Sequence, residues 1–112
     1  MHKVAAILLA ALFLVSGAAN SRADEEPVFR IEFKDGNIAP ERLAVPANRR
    51  FRLLLLNKGD TPAEFESNEL RKEKVLAPRT TSILVFRNLD PGEYPFFDDF
   101  HPDAPKAVLI AK

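Results

Sequence analysis

Cysteine and tryptophan are missing from this 112-residue chain, methionine occurs once, at position 1, and histidine occurs only at positions 2 and 101. Without a thiol the chain can form no disulfide, no cysteine-based zinc or iron–sulfur site, and no copper centre built on a thiolate. Lys and Arg number 16, and so do Asp and Glu, which leaves no basic surplus of the kind nucleic-acid binders carry. Glycine is scarce, at four residues. The sequence contains no glycine-rich phosphate loop, no serine-nucleophile signature and no paired-histidine motif. Redox or metal chemistry, if present, must use oxygen and nitrogen ligands.

A long hydrophobic run is also lacking. Val4 to Val15 is wholly apolar, but it falls short of the roughly 20 residues that a membrane-spanning helix needs. His2 and Lys3 precede it and Ser21-Arg22-Ala23 follows it, which is the layout of a cleavable secretory signal. We therefore expect a signal peptide over residues 1–23 and one domain over residues 24–112. No cysteine follows the signal, so a lipoprotein anchor is excluded. A small, exported, cysteine-free domain fits the bacterial periplasm, peripheral to the inner membrane at most.

From Val28 onward the hydrophobic period is two. Phe29, Ile31 and Phe33 fall on one face and Arg30, Glu32 and Lys34 on the other, the pattern of a half-buried strand. Asp35-Gly36-Asn37 is turn chemistry, and Ile38 to Val45, interrupted by Pro40, reads as a short edge strand. The run Leu53-Leu54-Leu55-Leu56 is short and lies between turn signals, so it suits a central strand. Ala63 to Ser67, Thr80 to Phe86, Tyr94 to Phe97 and Ala107 to Ala111 read as further strands, and Glu69 to Lys74 as a helical turn or a polar strand. Seven or eight mostly antiparallel strands, about ten residues apart, predict an all-β Greek-key sandwich.

Two polar clusters stand out. Asp98, Asp99, His101 and Asp103 lie close together after the aromatic strand Tyr94-Pro95-Phe96-Phe97. Carboxylates with one imidazole make a ligand set for Fe, Mn, Cu(II) or Zn and a poor one for Cu(I). Glu64 and Glu66, two apart on a strand, point the same way and can bring two carboxylates to one site. The same residues also make an ordinary acidic loop with a locally bonded His101, and an ordinary solvated strand face. Arg71, Lys72 and Lys74 are expected to pair with Glu69 and Glu73. His101 has no identifiable nucleophile partner for hydrolysis.

These segments resemble a known family over essentially the whole exported part. Cupredoxins place a copper-ligating histidine shortly after a strand ending in Asn, and close with Tyr-x-Phe-x-Cys-x-x-His followed by Met. Here NKGDTPAEF (57–65) and PGEYPFFDDFH (91–101) occupy those places. Carried over, the ligand positions fall on Ala63, Asp98, His101 and a residue near Lys106, so His101 alone is retained and no blue copper centre is expected. FESNELRKEKVLAPRTT (65–81) and YPFFDDFHPDA (94–104) are similar to the small periplasmic cupredoxin subunit of bacterial high-affinity ferrous-iron uptake systems. That resemblance implies a cupredoxin-like sandwich that binds iron or copper and assists iron import, with oxidation of Fe(II) for a membrane permease as one form of that role. It implies an iron permease and another periplasmic metal-binding subunit as partners. It also implies a site in which Glu64 or Glu66 approaches Asp98, Asp99 and His101. The alternative is a metal-free cupredoxin-like docking module.

Overall fold

Nine strands build two sheets in the computed structural model, which describes residues 26–112; the expected signal segment, 1–23, lies outside the described residues. The first sheet holds β1 (Val28–Lys34), β2 (Asn37–Ala39), β4 (Phe51–Asn57) and β7 (Thr81–Phe86), in the order β2-β1-β4-β7. The second holds β3 (Arg42–Val45), β5 (Ala63–Ser67), β6 (Lys72–Leu76), β8 (Gly92–Asp98) and β9 (Ala107–Ala111), in the order β3-β9-β8-β5-β6. Most neighbours are antiparallel, but β1 with β4 and β3 with β9 run parallel.

Alternation places the core. Ile31 and Phe33 of β1, Leu53 and Leu55 of β4, Phe65 of β5, Phe96 of β8 and Leu109 of β9 are fully buried, facing one another between the sheets. Phe51 stacks on Phe86 at 5.0 Å and Phe65 on Phe96 at 4.9 Å between ring centroids. Burying such a ring contributes roughly 1.5–3 kcal/mol. The leucine run of β4 splits by parity, with Leu53 and Leu55 in the core and Leu54 and Leu56 half-buried on the outer face.

Three elements differ from the sequence expectation. Ile38 to Val45 is two strands in different sheets, because Pro40 has no N–H to continue a ladder and the chain crosses from β2 to β3 there. Residues 69–74 are neither wholly helical turn nor wholly strand: a turn ends at Arg71, which has φ 55°, and β6 begins at Lys72. Lys72 turns its ammonium over the Phe86 ring, 5.2 Å from the centroid, and donates to the Val85 carbonyl, so its contacts are with β7 rather than with Glu69 or Glu73.

The loops at one end are tied by side chains. Asp35 and Gly36 both have positive φ, 47° and 96°, as the two-residue turn between β1 and β2 requires. The Asp35 carboxylate accepts from the Asp60 N–H at 3.2 Å and the Thr61 hydroxyl at 2.9 Å. Gly59 packs so closely beneath it that a Cβ would lie 2.7 Å from Asp35 Oδ1 and 2.8 Å from Asp35 N. Asn57 is buried at the end of β4. Its amide donates to the carbonyls of Thr61, Leu76 and Ala77, and its oxygen accepts from the Gly59 N–H.

Candidate metal centre

Strand parity sorts the predicted ligands into two groups. Phe65 faces the core, so Glu64 and Glu66 stand on the outer face of the five-stranded sheet. β5 pairs with β8 in the register Phe65↔Asp98 and Glu66↔Phe97, which turns Asp98 inward with Phe96 and sends the next side chain, Asp99, outward. The Asp99 N–H donates to the Glu64 carbonyl at 3.0 Å, fixing Asp99 beside the two glutamates. The structure thus brings three of the five predicted residues together: ligand oxygens of Glu64, Glu66 and Asp99 all lie within 4.8 Å of one another.

A fourth carboxylate belongs to the group. Glu73 of β6 is the direct cross-strand neighbour of Glu66, and its side chain is hydrogen-bonded to that of Glu64. The sequence pointed to Glu73 only as a partner for nearby cations; the strand parity of KEKVL, with Leu76 buried, is the signal that sets it on the same face as Glu66. Glu64 is 7% exposed. Burial first, then the hydrogen bond that the protonated Glu64 donates to Glu73 and the charges of Glu66, Glu73 and Asp99, push its carboxyl up to about 7. Burial and the charges of Glu73 and Asp99 also raise Glu66 above the ordinary glutamate range. A cation placed among these oxygens offsets that mutual repulsion and favours the ionised carboxylates. The donors are hard oxygens, suited to Fe, Mn or Cu(II) and unsuited to Cu(I).

Asp98 and His101 form the second group. Asp98 is buried; its Oδ1 accepts from the Glu64 N–H at 2.9 Å and the Phe100 N–H at 3.0 Å, and its Oδ2 lies 2.8 Å from His101 Nδ1. A carboxylate accepts, so Nδ1 carries the proton and Nε2 the lone pair, the orientation a carboxylate imposes on metal-binding histidines. The imidazole packs on Gly36, where a Cβ would meet it at 3.4 Å. It borders a surface depression of about 450 Å³ whose wall includes Phe100, Pro102 and Asp103. Asp98 and His101 do not join the cluster formed by Glu64, Glu66 and Asp99.

The comparisons with known proteins place this nine-stranded, two-sheet sandwich among the cupredoxin-like folds. The chain matches the cupredoxin-like domain over residues 5–111 and belongs to that family. It is 36% identical over 81 residues to RP394 of Rickettsia prowazekii (strain Madrid E), an alignment covering 72% of this chain and 65% of that protein, just under two thirds. Dithionite-reduced auracyanin from Roseiflexus castenholzii superposes with a TM-score of 0.64 at 11% identity, over 78% of this chain and 98% of that one. The purple cupredoxin of Nitrosopumilus maritimus gives 0.58 at 15%, over 75% and 99%. The Cu(I)-bound metal-binding domain of the Cu(I)-exporting ATPase CopA of Streptococcus pneumoniae D39 gives 0.62 at 12%, over 76% and 84%. At these identities the structural likeness shows the fold.

The family's thiolate-bound copper does not fit this chain. There is no cysteine, and Asp98, at the position the cysteine would take, already uses both oxygens on Glu64, Phe100 and His101.

Proposed function

We propose that the protein is an exported metal-binding cupredoxin that takes up an iron or copper cation through Glu64, Glu66 and Asp99 and assists iron import. The observation that carries the reading is the convergence of three carboxylates within 4.8 Å on one sheet face, one of them on the nearly buried Glu64. Holding such a group without a counter-charge is costly, and a hard cation removes the cost. The leader-like residues 1–23 support a periplasmic location. The resemblance of residues 65–81 and 94–104 to ferrous-iron uptake subunits supports an iron permease and a second periplasmic metal-binding subunit as partners. His101, with Nδ1 engaged by Asp98, offers Nε2 as a separate single ligand.

The test is anaerobic titration of the metal-stripped exported protein with Fe(II) and, separately, with Cu(II). We expect one equivalent at micromolar affinity or tighter, lost in the double variant Glu66→Gln, Asp99→Asn and weakened less by His101→Ala. Oxygen consumption by the Fe(II)-loaded protein on re-aeration reads whether the bound ion gives its electron to dioxygen. Absence of binding in the wild-type protein favours the second reading, a metal-free docking module. The observation behind that reading is Asp98, whose bonds to Glu64, Phe100 and His101 close the family's copper position from within.

A further inference from the structure

The outer face of the four-stranded sheet carries a pattern that the metal reading does not use. Parity puts Leu54 and Leu56 of β4 outward, beside Ile83 and Val85 of β7 and Val28 of β1. The registers align them in rows, Arg30 with Leu54 and Ile83, and Val28 with Arg52 and Val85. Ile83 is 48% exposed and Val28 54%. Arg30, Lys34 and Arg52 project from the same face; Arg30 pairs with Glu32 at 3.4 Å and Arg52, beside Arg50, holds Glu26 at 2.7 Å, so the cations there outnumber the two carboxylates. On the outer face of the opposite sheet, parity puts Glu64, Glu66, Glu73, Glu93 and Asp99 outward, against Arg42, which reaches Glu93, and Lys106, which lies over the Phe97 ring. The two faces are therefore biased in charge, with a cationic excess beside the aliphatic rows on one and an acidic excess on the other.

At the end of the cationic face, where Leu56 leads into Asn57, lies a depression of about 190 Å³ lined by Lys58, Arg79, Thr80 and Thr81. Two cations and the Thr81 hydroxyl are donors for a phosphate group, with Arg79 also holding Asp60 at 2.8 Å and the Thr80 hydroxyl donating to the Ala77 carbonyl. The apolar side chains of the face are all aliphatic and lie in rows. They offer neither the aromatic anchors nor the central pocket that concentrate binding at protein interfaces. Arginine and lysine stems beside an aliphatic surface are suited to reach headgroups while the stems stay on apolar ground.

We propose that this face is where the protein lies on an anionic phospholipid surface, with Leu54, Ile83 and Val85 against the bilayer interface, Arg30, Lys34 and Arg52 among the headgroups, and the 58/79 depression taking one lipid phosphate. The attraction is of the kind that draws basic segments to acidic leaflets, screened by salt within a Debye length. The acidic face and its carboxylates then point away from the membrane. This inference does not rest on the metal reading.

The experiment is co-sedimentation of the exported protein with vesicles of phosphatidylglycerol mixed into phosphatidylcholine, and with vesicles of phosphatidylcholine alone, at low and high salt. We expect binding to the anionic vesicles only, falling as salt rises. Lys34→Glu, a change of two charge units at about fivefold each, weakens it by more than about tenfold, and Ile83→Glu weakens it comparably. Val75→Glu adds the same charge at a site 56% exposed on the opposite face and leaves binding unchanged. Equal binding to both vesicle types, no binding, or indifference to Lys34→Glu and Ile83→Glu overturns the proposal. So does a dimer by light scattering that Ile83→Glu dissociates in a protein that ignores vesicles, which would make the face a contact between copies. Binding of inorganic phosphate without vesicle binding overturns it as well.

Discussion

Glu64 is held in a state that depends on its neighbours more than on its own chemistry. Its carboxyl is raised to about 7 by burial and by Glu73, Glu66 and Asp99, so the folded protein keeps a proton there that the unfolded chain releases near the ordinary glutamate value of 4.5. A raised acid stabilises the fold at low pH, and that contribution fades as pH climbs from about 4.5 through 7. Glu64→Gln, which stays neutral, should therefore melt higher than the wild type at pH 8 in the absence of metal and show little difference at pH 5. Thermal melts at the two pH values check this, and an equal shift at both would remove the titration of Glu64 as the cause. Asp98 plays the opposite part. Replacing it with Ala leaves two N–H groups, of Glu64 and Phe100, and one imidazole nitrogen without their acceptor. At about 1–3 kcal/mol for a buried orphaned donor, the variant should lose about 3 kcal/mol in denaturant unfolding. The milder His101→Ala removes only the bond at Oδ2 and should lose less.

The elements show where the sequence was legible and where it was not. The strand β1, the splitting of the leucine run and the inward phenylalanines follow from period two, because each strand has one face on the core and its neighbours cannot change that. The break at Pro40 was visible, but the sheet each half joins depends on pairing partners far along the chain, β1 for one and β9 for the other, which local pattern does not encode. The candidate site was half legible for the same reason. Glu64 and Glu66 share a face by spacing alone, whereas the separation of Asp99 from Asp98, one outward and one inward, needed the β5–β8 register. Gly59 illustrates a constraint invisible in composition. Its φ is unremarkable, yet a Cβ would press on the backbone nitrogen of Asp35, which cannot move without opening the β1–β2 turn. Gly59→Ala should cost about 1–3 kcal/mol, the range for forcing atoms into a filled space. It should leave cation affinity unchanged, since the loop touches neither Glu64 nor Asp99; calorimetric melting with metal titration of the same variant separates the two effects.

Across the whole molecule, two faces of opposite excess charge lie on the outsides of two sheets whose backbones are about 10 Å apart. Between them stands a core of close-packed aromatics and aliphatics, Phe33, Leu55, Phe65 and Phe96 among them, each fully buried. Such a core is rigid rather than bistable, and the contacts that do cross between the sheets' ends and edges, Lys72 on Val85 and Phe86 and His101 on Gly36, are made by none of Glu64, Glu66 and Asp99. Events on one face should therefore leave the other unaltered, as for distant sites that share no partners. Cation affinity measured on protein bound to phosphatidylglycerol vesicles, after subtraction of a vesicle-only titration, should stay within about twofold of the value in free solution. The Ile83→Glu variant should bind the cation as the wild type does. A larger change in either measurement would mean that the sheets shift against each other when one face is occupied, and the sandwich would then be a coupled pair of layers instead of a fixed spacer between a membrane and a metal.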